Sequence, residues 1–187
     1  MPVRRTNISA AEARRVALAA QGFDRARPDT PSDIRHFRRV LHAIGVLQLD
    51  FVNVLIPAHF LMIWSRLGGY DRQRFERFLY DSREFTEQWA HEASVVRVSD
   101  WPLLAYRRRA WTPWKRNPLK TLDDPDTYLQ CSLEQVQSEG ALPANDLPAA
   151  DSPERKPGDW HRPVQRWALE HHFGRGALGV RRRLSNF

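Results

Sequence analysis

The apolar positions of this chain change period along its length, and each change predicts a change of element. Ser9-Ala10-Ala11-Glu12 is a capping box, in which a hydroxyl and a glutamate satisfy the first free amides of a helix. That helix is expected to run to about Gln21 and to stop at Gly22. A second begins at Ser32-Asp33, carries Ile34, Phe37, Leu41 and Ile44 on one side, and ends at Gly45. From Val46 to Val52 the period drops to two, with Leu47, Leu49 and Phe51 alternating with Gln48 and Asp50. An extended segment there puts an amide and a carboxylate side by side on one face.

Residues 57 to 67 are nearly all apolar, which predicts a buried helix stopped by Gly68-Gly69. Asp71 caps another, with Phe75, Phe78 and Leu79 inward. Two short extended pieces flank Ala90-His91-Glu92-Ala93, and a helix follows from Ser99 to Arg109. Helix, helix, strand, two helices and a β-pair predict a winged-helix unit over residues 1–110. Residues 111–122 read as a proline-broken linker, in which Trp111 and Trp114 either dock the linker or stack on exposed bases.

Residues 123–187 predict a second winged-helix unit: a helix from Asp123 to Glu139, a turn at Gly140, and a short helix to Leu147. A loop over 148–158 follows, then a helix over 163–173 and an outgoing wing strand over 177–184. The chain ends at Phe187 before a return strand can be written, so a fragment or the product of a shortened gene is expected. The fold class is mainly α with small β-hairpins (α+β), built as tandem winged-helix (helix-turn-helix) domains with the second wing incomplete.

Charge narrows the partners. The 29 basic residues exceed the 22 acidic ones, for a net charge of +7, and only Lys115, Lys120 and Lys156 are lysines. Such a balance suits a polyanion, although a general preference for arginine explains the residue choice equally well. Cys131 stands alone, which excludes an internal disulfide and a cysteine zinc site and predicts a core thiol. No apolar run reaches the ~20 residues of a membrane span, and the start of the chain is not a signal sequence, so a cytoplasmic location is expected.

Several segments then match one family in order: Gln48-Leu49-Asp50, Asn53, Trp64-Ser65-Arg66-Leu67-Gly68-Gly69-Tyr70 and Glu87-Gln88-Trp89-Ala90-His91-Glu92-Ala93. With Arg166-Trp167-Ala168-Leu169-Glu170 before Phe173-Gly174, the chain resembles the AlkZ/YcaQ-like winged-helix DNA glycosylases. The Gln-x-Asp form is similar to the YcaQ branch. Ile56 and Pro57 stand where family members usually carry a basic residue and a serine, and the family is about twice this length, with a third unit that is absent here.

The resemblance implies a bacterial DNA repair enzyme: a monofunctional hydrolase that removes N7-alkylated guanines and unhooks interstrand crosslinks in base excision repair. Double-stranded DNA is the expected partner, the protein a nucleoid-associated monomer, and no cofactor or metal is needed. Gln48 and Asp50 are the catalytic pair. Asn53, His59, Ser65, Arg66, His91, Glu92, Arg107, Arg181 and Arg182 form the expected substrate- and DNA-binding set.

Spacing alone leaves other readings open. Asp50 can cap the following helix while Gln48 satisfies a loop. His91 and Glu92 can simply tie the β-pieces together, since neighbours on a strand point to opposite faces. The arginine runs can be solvated faces, and His171-His172 a helix end. At the level of function, a non-catalytic winged-helix DNA-binding protein and an inactive truncated paralogue are the alternatives.

Overall fold

The computed structural model describes residues 7–112, 117–149 and 162–183. Its contacts divide the chain into two units, Met1–Asp100 and Trp101–Arg183.

In the first unit, helix α1 (Ala10–Ala20) starts at the expected capping box: the Glu12 amide donates to the Ser9 hydroxyl, and the Glu12 carboxylate accepts the Ser9 amide. None of its residues is buried. Helix α2 (Ile34–Ile44) is capped by Asp33, whose carboxylate accepts the Arg35 and His36 amides. It ends where Gly45 takes φ 72° and donates to the Leu41 carbonyl, a conformation that a side chain would strain. Phe37, Val40 and Leu41 point into the core, whereas Ile34, expected on the same side, is 42% exposed.

Strand β1 (Val46–Gln48) follows at once. Helix α3 (Ala58–Leu67) stops at Gly68, and helix α4 (Arg72–Asp81) begins with the Asp71 carboxylate accepting the Arg74 amide. The apolar run of α3 is only half buried: His59, Phe60, Ile63 and Leu67 face inward, while Leu61, Met62 and Trp64 are exposed. Trp64 lies under the Arg27 guanidinium, 5.2 Å from its ring centre.

Strands β2 (Phe85–Trp89) and β3 (Ala93–Arg97) form a hairpin, and β3 sits between β1 and β2 in an antiparallel sheet. The register sets Leu47 and Glu87 beside Val95, and Gln48 and Gln88 beside Ser94. One face of the sheet closes the core through Leu47 and Val95. Behind it Phe37 meets Phe75 and Tyr70 edge-on at 5.2 and 5.8 Å, geometry that suits the ring quadrupoles. The fold is mainly α with a small three-stranded β-sheet.

The second unit is built from shorter pieces. The single helix expected from Ser99 to Arg109 is instead a 3₁₀ segment, Val98–Leu104, followed by helix α5 (Ala105–Arg109). Pro102 is the cause, because it has no amide to give an α-helical hydrogen bond and its ring crowds the preceding turn. A 3₁₀ turn, Pro118–Thr121, leads to helix α6 (Pro125–Glu139), which Asp124 caps and Gly140 stops. The expected short second helix is one 3₁₀ turn, Ala144–Asp146, and helix α7 (Val164–Arg175) completes the unit.

Leu119, Leu147, Val164, Trp167 and Ala168 form its apolar cluster. Trp111 packs on α7, meeting the His171 ring at 5.4 Å and lying so close to Gly174 that a side chain there would collide with the indole. It therefore docks the linker; Trp114 and most of the expected 148–158 loop lie outside the described residues.

Two further expectations fail here. Cys131 is exposed rather than in the core, because α6 turns the neighbouring Ser132 inward instead. Residues 177–183 form no strand: the Ala177 and Leu178 amides both donate to the His172 carbonyl and close the end of α7, and no strand pairs with this segment among the described residues.

Candidate functional site

The two residues singled out by the period-two pattern sit where β1 ends. Gln48 pairs in register with Ser94 and its side chain is exposed. Pairing extends one residue further, through the Leu49 amide to the Ala93 carbonyl at 2.8 Å. The chain then turns sharply, and one Asp50 carboxylate oxygen accepts the Val52 amide at 2.9 Å. This is a turn closed by an aspartate side chain, not a helix cap: α3 starts only at Ala58, with Pro57 at its cap position and no side-chain cap.

The register also brings the turn of the β2–β3 hairpin to this end of the sheet. That turn holds exposed His91 and half-buried Glu92, and is closed by the Ala90 amide and the Ser94 hydroxyl, which both donate to the Glu92 carbonyl at 3.0 Å. His91 and Glu92 thus lie in a turn, where the opposite-face rule for strand neighbours does not apply. Gln48, Asp50, His91 and Glu92 therefore lie at the same end of the sheet and form a polar edge there.

His59 fixes that edge from below. It is buried between Phe60 and Phe51, with ring centres 4.2 and 5.7 Å away, and its Nδ1 lies 3.0 Å from the Asp50 carbonyl oxygen. A carbonyl only accepts, so Nδ1–H donates, and this defines the tautomer. Asp50 is therefore held through its backbone by His59 and through its side chain by the turn. Asn53 bridges to Pro57 across the following loop, which exposes Val54 and Leu55.

The remaining expected residues lie elsewhere. Ser65 donates to the Met62 carbonyl at 3.0 Å and accepts from Arg66 at 3.1 Å, near the C-terminal end of α3. Arg66 is buried, with Nε on the Gln21 carbonyl and Nη1 on the Met62 carbonyl, and stacks over Phe23. Arg107, Arg181 and Arg182 belong to the second unit and are exposed. Arg108, from the same basic run as Arg107, is buried flat against the Trp101 ring and donates to its carbonyl at 2.7 Å.

Two polar residues beside the edge escape sequence reasoning. Ser94 and Gln88 lie in one cross-strand row with Gln48, and both are fully buried. The Gln88 side-chain nitrogen has no hydrogen-bond partner among the described residues, an unusual state for a buried amide. Its signal in the sequence was a glutamine inside an otherwise β-forming stretch. No group of three or more metal-ligating side chains occurs among the described residues, and no helix there is long and apolar enough to cross a membrane.

A mainly α unit that presents an amide and a carboxylate at a strand end, on a strongly basic chain, has the parts of a DNA-processing enzyme. The sequence profile of the family described as DNA glycosylase AlkZ-like matches residues 41–187, most of the chain and all of this edge. The chain belongs to the AlkZ-like DNA glycosylase family, so DNA is its substrate and repair its setting. No solved structure matches it.

Proposed function

We propose that this protein hydrolyses the N-glycosidic bond of N7-alkylated guanine in duplex DNA and unhooks interstrand crosslinks built on that position. The observation that carries the reading is the placement of Gln48 and Asp50 at the exposed end of β1, with Asp50 anchored by His59 and Val52. The order α2, β1, α3, α4, β2, β3 with β3 central supports a winged-helix unit as the frame.

The chemistry follows from the leaving group. A guanine alkylated at N7 is already cationic, so its bond to the sugar breaks without a proton being added first. The protein's task is to stabilise the oxocarbenium-like sugar and to aim a water. Asp50 supplies the negative charge and accepts the water's proton, and Gln48 orients that water. Water adds to the sugar carbon as the base departs, leaving an abasic site and a neutral alkylguanine. The chain's three lysines stand at positions 115, 120 and 156, remote in sequence from this edge, so hydrolysis rather than Schiff-base lyase chemistry is the route.

Two expected DNA-binding residues take positioning roles in this reading: His59 holds Asp50, and Ser65 orients Arg66. His91 and Glu92 line the lesion side of the edge. The test is direct: the protein is incubated with duplexes carrying 7-methylguanine or a nitrogen-mustard crosslink, and released base and separated strands are measured. Free 7-methylguanine with an intact abasic strand supports the proposal. DNA binding without base release supports a non-catalytic DNA-binding protein instead.

A further inference from the structure

A pocket of about 380 Å³ lies between the turn after α1, helix α2 and Arg66 of α3, and neither Gln48 nor Asp50 lines it. Gly22 and Ala43 form its waist, and Arg25, Arg39, His42 and Arg66 line it, with no acidic residue among the lining. Gly22 turns the chain after α1 with φ 81°, a backbone conformation that a side chain would strain. Arg25 and Arg39 take part in no ion pair among the described residues, although Arg38 next door is paired bidentately with Glu84.

Arg66 distinguishes this pocket from a solvated basic surface. Its side chain is 5% exposed, three of its N–H groups are used on Gln21, Met62 and Ser65, and its Nη2 is buried with no partner. No carboxylate offsets it, and burial alone pushes the guanidinium below its ordinary pKa. A buried guanidinium without a carboxylate partner leaves positive charge uncompensated beside the pocket, which favours an oxyanion as its occupant.

We propose that this pocket is an oxyanion site that takes a phosphate group, gripped by Arg25 and Arg39 and favoured by the uncompensated charge of Arg66. Arg66 lies seven residues along α3 from His59, about 10 Å at the helical rise, so the site is separate from the catalytic edge. The phosphate can come from the DNA backbone beside the lesion or from a small free phosphate ester, and the same three arginines recognise either. The proposal does not depend on the glycosylase chemistry.

The test uses the whole chain, inorganic phosphate as probe, and chloride at equal ionic strength as control. At tenfold excess over Kd, phosphate should raise Tm by about 3 °C or more. An R25Q/R39Q double variant, altered only in the pocket lining, should keep its fold and lose that rise, whereas Asp50→Asn should retain it. If phosphate also displaces undamaged duplex, and R25Q/R39Q lowers the salt slope of duplex binding by about one or two, the DNA backbone is the occupant. If phosphate binds without displacing DNA, a free phosphate ester is. A phosphate shift no larger than that of chloride, or one that survives in R25Q/R39Q, overturns the proposal. Phosphate binding by a protein that releases no base would leave this site standing while sinking the glycosylase reading.

Discussion

The two units solve the problem of a small interior differently. The first gathers thirteen buried apolar side chains into one cluster, whereas the second has five among the described residues, so that buried polar groups make up a larger share of its interior. There Ser132 donates to the Leu129 carbonyl at 2.8 Å, and His172 Nε2 lies 2.9 Å from that same carbonyl and 3.2 Å from the Ser132 hydroxyl. Glu170, also buried, is held by Arg166 and Arg162. A large aromatic core dilutes the effect of any one buried polar group, while a small interior held by His172 depends more on that histidine's charge. The Gln48–Asp50 edge stands on the first kind of frame, which keeps a turn residue such as Asp50 in one place.

The largest effect that would sharpen this contrast is Phe37→Ala. Phe37 is wholly buried and meets Tyr70 and Phe75, so its loss should cost about 3–5 kcal/mol, read by denaturant unfolding. Val164→Ala, at the centre of the smaller cluster, removes two methyl groups and should cost about 2 kcal/mol. Equal costs would mean that the second interior is packed as tightly as the first.

The pH dependence of the two units should also differ. Burial lowers the pKa of His172, so the folded state favours the neutral ring. Its contribution is complete above the ordinary histidine value near 6.5 and is lost as pH falls through the lower folded value. Protection factors of α6 and α7 amides, corrected for the intrinsic exchange rate, should therefore fall as pH drops below about 6.5, and His172→Gln should lessen that trend. In the first unit, hydrogen bonding to Arg35 holds the Asp33 carboxyl well below the usual carboxylate range. Stability from Asp33 is present above about 4 and is lost only below it, so Asp33→Asn should flatten a smaller dependence at lower pH. A first unit that loosens at pH 6 would break the comparison.

How much of this was legible in the sequence depended on distance along the chain. Caps and stops are local, and Ser9, Asp33, Asp71, Gly45 and Gly68 mark helix ends where the residues say they should. The alternation predicts an extended segment over residues 46–52, of which Val46–Gln48 is strand; Asp50 lies in the turn that follows, closed by its own side chain. What failed was decided by remote partners. Arg66 reads as a surface cation until Gln21, 45 residues away, and Phe23 cover it. His59 sits in an apolar run, and only the fold shows that it grips Asp50. The strand expected over 177–184 needed a partner that local pattern cannot supply.

The central claim is that a carboxylate held at the end of β1 performs the hydrolysis. Single-turnover release of 7-methylguanine by the wild type and by Asp50→Asn tests it most directly. The substitution keeps the turn's shape and removes the charge and the proton acceptor. The account predicts a fall in rate of about 10²–10⁴-fold with unchanged unfolding and DNA binding. An Asp50→Asn protein that releases the base at the wild-type rate would contradict it.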